Sequence, residues 1–404
     1  MTSATAFATD IVPRWIAMAA DHKRGGLVER LDGEGRPVFG EPKTTLVHAR
    51  TVFSLAHLCL ATGNSTLLDS ARKIHAFMDT HLRHPEGGYR YAVDPDGSPR
   101  EGSASRVRRT YDQSFVLLAL VTLRKADPQA VAEGRIEELW RFIESLTEPA
   151  TGALYEDDQM ALKGAQAGDR RAQNPQMHML EAVLQAYELT REVVWLERAT
   201  RYVSLLQDYF IDRSTGSVRE LVSHDLSPLE GAEGLRREPG HQYEWAWLLH
   251  RYADLSGDDH VRPLADRMTV FADTYGIRRT GDPLDGAPFD ALAADGSIIE
   301  DTHLLWPLTE AGKLACMLHL RGDARAAARA RKWERLIFSR FFACDRTRWV
   351  NQLDGRGGVI WPDALSRLIY HVALFVTEGA RTGLWHIQPK LRISPSSSPQ
   401  GGTD

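Results

Sequence analysis

The chain has 404 residues, 43 % hydrophobic and 25 % charged, and its 49 basic and 54 acidic side chains leave a net charge of −5. Ample apolar content with little net charge excludes whole-chain disorder, and the absence of a basic stripe argues against a nucleic-acid partner. At roughly 100–200 residues per domain the length alone suggests two or three domains.

The opening MTSATAFATDIVPRW has no basic segment followed by an apolar one, so no secretory leader is predicted. Hydrophobic periodicity predicts twelve helices, over about 5–22, 44–62, 65–83, 110–126, 128–147, 174–190, 192–211, 240–256, 258–276, 302–321, 323–342 and 362–382. Tight turns of one chemistry join them: Gly63-Asn64, Asp127-Pro128, Gly257-Asp258 and Gly322-Asp323. Glycine stops one helix, and Asp or Asn caps the next. The helix before each such turn is apolar nearly all round, as in Phe115–Leu123, whereas the one after it carries a single stripe, as in Leu67, Leu68, Ala71, Ile74 and Met78. The first kind is expected inside and the second outside. Gly-rich loops between the pairs, such as those holding Asp96-Gly97 and Asp295-Gly296, read as small hairpins. Residues 391–404 are expected to be a frayed polar tail.

Phe115–Leu123 falls far short of the roughly 20 residues that span a bilayer, so no membrane partner is expected. Cys59, Cys316 and Cys344 are widely spaced with no CxxC, which fits a reducing cytoplasm.

Polar residues recur at the starts of the first-kind helices: His48 with Arg50, then Tyr111, His178, His241, His303 and His371, at steps of 63, 67, 63, 62 and 68 residues. Repeats that cannot bury their faces alone must stack. Six inner and six outer helices closing on themselves predict an all-α (α/α)6 barrel over residues 1–390, a single domain, with an open solenoid as the competitor. In a closed ring the inner-helix starts converge on one cavity. The candidate set is Arg50, Tyr111, Asn174, His178, His241, Glu244, Trp306, Glu310 and His371.

In NPQMHMLEA (174–182), Asn174 reads as an N-cap, with His178 and Glu181 one turn apart. In PGHQYEWAWLL (239–249), Glu244 is placed to hold the second nitrogen of His241. A helix N-terminus disfavours the imidazolium and a glutamate favours it, which puts His241 near neutrality. Pro307 is expected to kink its helix and aim Trp306 into the cavity. The blander reading of each motif is a cap, a core histidine or simple packing. Two His-x-x-Glu pairs raise a metal, but HExxH is absent and no cysteine accompanies the histidines, so no metal is predicted. No GxGxxG, Walker or GxSxG motif is present, so no cofactor is predicted. Glu244 and Glu310 would be the acids of a glycosidase on this ring.

With these motifs assembled, the chain resembles the N-acylglucosamine 2-epimerase superfamily from the HAR at 48–50 to the YH at 370–371, most of all in NPQMHMLEA and PGHQYEWAWLL. The HAR…YDQSF pattern looks most like its mannose isomerase branch. The resemblance implies proton transfer at C2 of an aldose by His241 and His371, oriented by Glu244 and Glu310. It also implies sugar contacts from Arg50, Tyr111, Asn174, His178 and, as a stacking wall, Trp306. The activity implied is aldose–ketose isomerisation of D-mannose, or a related aldose such as D-lyxose, through a cis-enediolate. A 2-epimerase of mannose, cellobiose or N-acylglucosamine type, a sulfoquinovose isomerase using loop arginines (106, 108, 109, 170, 171, 236 and 237), a glycoside hydrolase and a non-catalytic sugar-binding barrel stay open. The partner expected is a monosaccharide, on a monomer or homodimer.

Overall fold

The computed structural model describes residues 3–342 and 348–387, so Cys344 and the expected tail lie outside the described residues. The turns do what their residues dictate. Gly63 takes φ +75° at a helix C-cap and Asn64 accepts the Thr66 N–H, starting the next helix. Gly257 and Asp258 repeat the device with φ +79° and the His260 N–H.

Six helices are buried almost all round: Thr45–Thr62, Thr110–Ala126, Gln173–Thr190, Pro239–Ser256, Leu305–Leu320 and Ile369–Arg381. In the fourth, every residue from Pro239 to Ala253 is buried. Each packs on the next, and the sixth packs back on the first, which closes the ring. The outer helices are amphipathic. Ser65–Phe77, for example, buries Leu67, Leu68, Ala71, Ile74 and Phe77 against the first inner helix and exposes Asp69, Arg72 and Lys73. The N-terminal helical segment, residues 3–19, lies behind the sixth inner helix. The fold is thus an (α/α)6 barrel, and no described helix is long and apolar enough to cross a membrane.

Short antiparallel strands rim one mouth. The residues just before an inner helix pair with the loop that follows the next outer helix: Lys43–Thr44 with Ala92–Val93, Arg170–Ala172 with Leu221–Ser223, Arg236–Arg237 with Ala291–Ala293, His303–Leu304 with Gln352–Leu353. Ala364–Leu365 pairs with Arg30–Leu31, joining late chain to early chain. Under this rim the fourth residue of each of the first four inner helices clamps the loop at the corresponding place in its own repeat. Gln113, Gln176 and Gln242 bond both backbone groups of Tyr89, Leu154 and Val218, and His48 Nε2 accepts the Leu27 N–H.

Several boundaries move from the sequence expectation. The second outer helix begins at Arg135 rather than 128, because residues 128–134 form a turn that ends on Gly134 at φ +74°. The fourth outer helix opens as a 3-10 turn, Asp259–Val261. Residues 303–304 and 364–365 belong to rim strands, so the fifth inner helix starts at Leu305 and the sixth as a 3-10 turn, Ser366–Leu368. Pro307 therefore sits in a first turn, where its missing N–H is not needed, and the helix runs unbroken to Leu320.

Candidate active site

Counting each inner helix from its first helical residue reveals layers. The sixth residues are Arg50, Phe115, His178, Glu244, Glu310 and His371, one from each helix. Above them, toward the strand rim, stand Tyr111, Asn174 and Trp306 at second positions and His241 at a third. A cavity of about 410 Å³ opens there, lined by Arg50, Tyr111, Asn174, His178, His241, Glu244, Trp306 and His371. Glu310, fully buried, lies against His371. The recurrence counted from the sequence had a different register: His48 is a loop clamp, and His303 donates Nδ1–H to the Pro288 carbonyl from a rim strand. Neither lines the cavity.

The two histidines expected to carry the chemistry have opposite environments. His371 donates Nδ1–H to Glu310 Oε1 at 2.9 Å, which leaves Nε2 as the basic nitrogen, 3.5 Å from an Arg50 nitrogen. Burial, with Arg50 and Lys313 nearby, holds its pKa well below 6.5. His241 donates Nδ1–H to Glu220 Oε2 at 2.7 Å, with Glu238 Oε2 at 3.4 Å. Burial alone would lower it, but the Glu220 and Glu238 carboxylates reverse that and lift it to about 10. At neutral pH the His371 ring is therefore unprotonated and the His241 ring protonated. Trp306 stands between them, its ring 4.8 Å from His241 and 5.8 Å from His371 between centroids.

This corrects two expectations. Glu244 does not hold His241, which is far from neutrality; Glu220, from the preceding rim loop, does. The sequence signal was a repeat: Glu29, Glu156, Glu220 and Asp290 hold one loop position and accept the N–H of Thr44, Ala172, Glu238 and Leu304 at 2.6–2.9 Å. Among these four, Glu220 also meets a histidine.

Across the cavity, an Arg50 nitrogen donates to the Tyr111 hydroxyl at 2.7 Å, and its guanidinium lies 4.1 Å from the Phe115 ring centroid. Burial raises the Tyr111 phenol, which stays a donor. His178 donates Nδ1–H to Glu181 Oε2 at 3.1 Å, and Tyr370 donates to the same oxygen. Burial would raise Glu181, but His178 and Lys313 hold it at about 2, while burial pushes His178 down to about 4. Asn174 is not a cap, because the helix starts one residue earlier after Ala172; its Oδ1 is buried without a partner and the residue lines the cavity.

Lys313, unseen from the sequence, is a fully buried cation. Its Nζ is 2.5 Å from Glu310 Oε2, 3.8 Å from Glu244 Oε1 and 4.1 Å from the Trp247 ring centroid. Glu244 has neither oxygen hydrogen-bonded, and burial beside Glu310 raises it to about 8, so it is mostly protonated at neutral pH. By distance, among the described residues, three groups could hold a cation: His178, Glu181 and Glu244; Glu220, Glu238 and His241; Glu244, Glu310 and His371. In the last, the Lys313 ammonium already supplies positive charge. Of the seven loop arginines, only Arg109 lines the cavity. Arg108, Arg170, Arg236 and Arg237 are paired with Asp158, Glu233, Glu300 and Asp212.

The model of the N-acylglucosamine 2-epimerase (GlcNAc 2-epimerase) family matches residues 7–374. A protein of Rhizobium meliloti (strain 1021) named mannose-6-phosphate isomerase is 28 % identical over 382 residues, 91 % of this chain and 93 % of that protein. A D-mannose isomerase of Thermobifida fusca is 28 % identical over 353 residues, 84 % of each. A crystal structure of a D-mannose isomerase shares the fold with a TM-score of 0.81 at 19 % identity, covering 93 % of this chain and 98 % of that one.

Proposed function

The chain belongs to the N-acylglucosamine 2-epimerase family, and from that premise we propose that it is a cofactor-independent aldose–ketose isomerase acting on mannose-type hexoses. The observation that carries the reading is the pair of histidines in one cavity, one held unprotonated by burial and one held protonated by two carboxylates. Groups whose surroundings push their proton affinities apart are an acid and a base in waiting.

On the open-chain aldose, His371 Nε2 removes the C2 proton and the electrons move to O1. Arg50 and Tyr111 are donors for the oxyanion of the cis-enediolate before it forms. The His241 imidazolium gives O1 a proton, and the resulting neutral imidazole takes one from the O2 hydroxyl. His371 returns its proton to C1, which yields the ketose and restores both histidines. Delivery of a proton by His241 to the opposite face of C2 would give the epimer instead. The isomerase names of the two relatives support the first outcome.

A second reading, a hexose with an anionic group at C6, is favoured by Arg109 and Arg367. Both line the cavity, and neither makes an ion pair among the described residues. Asn351, in the same lining, has a buried Nδ2 without an acceptor. One experiment addresses both. Mannose and mannose 6-phosphate are incubated separately with the protein in D2O and followed by NMR. A deuterated ketose is expected from at least one. The larger kcat/KM decides between the neutral and the anionic sugar, 2-epimer without ketose reassigns the chain as an epimerase, and no exchange at C2 from either sinks the reading.

A further inference from the structure

The ninth residues of the inner helices form the layer beneath the cavity: Phe53, Leu118, Glu181, Trp247, Lys313 and Leu374. Four are apolar, as a barrel interior favours. A lysine there is hard to explain by stability, because well-packed hydrophobes commonly equal or exceed buried ion pairs. The position of Lys313 points to a different role. Its Nζ is 2.5 Å from Glu310 Oε2, and the other oxygen of Glu310 receives the His371 Nδ1–H at 2.9 Å. Lys313, Glu310 and His371 form one line ending on the basic Nε2 at the cavity.

We propose that Lys313 is a positioning residue for this proton transfer: it is the fixed counter-cation that keeps Glu310 a carboxylate and so holds the His371 ring with Nε2 free. The inference rests on the assignment of His371 as the base.

The charges facing this line come from four helices. Arg50 lies on the first, His178 and Glu181 on the third and Glu244 on the fourth, with Glu310 and Lys313 on the fifth. Arg50 and Lys313 balance Glu181 and Glu310, while Glu244 keeps its proton. Removal of the ammonium leaves Glu310 buried with no cation in contact. The nearest remedy is a proton on His371, since an imidazolium beside a carboxylate restores neutrality. That proton lies on the nitrogen the reaction needs free. Lys313 thus works against His371 being charged, in agreement with its part in lowering the histidine's pKa.

The test is a titration of the His371 ring by NMR in the full-length protein carrying 13C-labelled histidine, assigned by H371N, beside rates of C2 exchange. In Lys313→Met the midpoint is expected to rise by about one pH unit or more. The acid limb of kcat should move to higher pH by the same amount, so that kcat on that limb falls about tenfold for each pH unit moved and recovers as pH increases, with KM little changed. Lys313→Arg keeps the cation and should keep the wild-type midpoint. Because the lysine acts through Glu310, Lys313→Met/Glu310→Gln should be no slower than Glu310→Gln alone. A midpoint unmoved in Lys313→Met, or losses that multiply in the double variant, would overturn the proposal. If Lys313→Met does not fold, the double variant, which buries no lone charge, and Lys313→Arg still decide it. Should the wild type exchange no C2 proton of any aldose, the activity reading fails while the titration still judges the lysine.

Discussion

The two mouths of the barrel are built from the same six helices and differ in how their polar groups are matched. At the far mouth the thirteenth residues are His57, Thr122, Gln185, Arg251, Met317 and Glu378, and the cavity there, about 670 Å³, is the larger of the two. Its charges answer one another. Arg251 pairs with Glu188 and bonds Gln185 at 2.6 Å, Arg381 pairs with Glu378 at 2.7 Å, and His57 meets Thr377 at 2.9 Å. No buried side-chain polar atom in that lining lacks a partner. At the strand-rimmed mouth Asn174 Oδ1, both oxygens of Glu244 and Asn351 Nδ2 do lack one. Space alone therefore does not favour the far mouth as the functional site; the polar groups left unmatched by the protein favour the strand-rimmed one.

Substitutions at the two mouths should separate along this line. The largest effect is expected for His371→Asn, which keeps the shape and removes the base: C2 exchange followed by NMR should fall by about 10²–10⁴-fold, with an unchanged circular dichroism spectrum. Next comes Glu220→Gln. On the proposed mechanism, kcat/KM of the wild type requires His371 free of its proton and His241 protonated. Activity should rise with pH on an acid limb well below 6.5, stay flat through neutrality and fall as pH passes about 10. Loss of the Glu220 charge lowers the His241 pKa, so the alkaline limb of the pH profile should move toward neutrality while the acid limb stays. The smallest effect on rate is expected at the far mouth. Arg251→Met should leave kcat within about twofold but cost about 2 kcal/mol in denaturant unfolding, because Gln185 and the half-exposed Glu188 lose their partner. A rate loss there comparable to that of Glu220→Gln would erase the distinction between the mouths.

The ring was legible because its signals are local. Gly-Asn and Gly-Asp turns, an all-apolar helix followed by a striped one, and a period near 65 residues all lie within a short window. Residues at helix starts were legible for the same reason, and Arg50, Tyr111, Asn174, His178, His241, Glu244, Trp306 and His371 do meet around one cavity. What sequence spacing missed are partnerships between repeats. Glu220 meets His241 from a rim loop, and Lys313 reaches Glu244 on the neighbouring fourth helix; three-residue spacing suggested Glu244 for His241 instead. The Asn174 misreading has a related cause. The rim strand Arg170–Ala172, paired with a loop fifty residues onward, sets where the third inner helix starts. No local capping rule contains that information.

The rim pairing of Arg30–Leu31 with Ala364–Leu365 has a kinetic meaning. The contact spans more than three hundred residues, so its loop-closure entropy weighs on the last step of assembly rather than the first. During synthesis the N-terminal segment emerges long before the sixth inner helix it covers, and its apolar face waits meanwhile for a partner. His371 arrives with that same helix, whereas Arg50, beside which it settles, was made at the start. A partly made chain can therefore fold several hairpins without ever assembling the acid–base pair. Sealing the ring and bringing His371 to that pair are one event, so on the proposed mechanism C2 exchange becomes a natural clock for completion of folding in a refolding experiment.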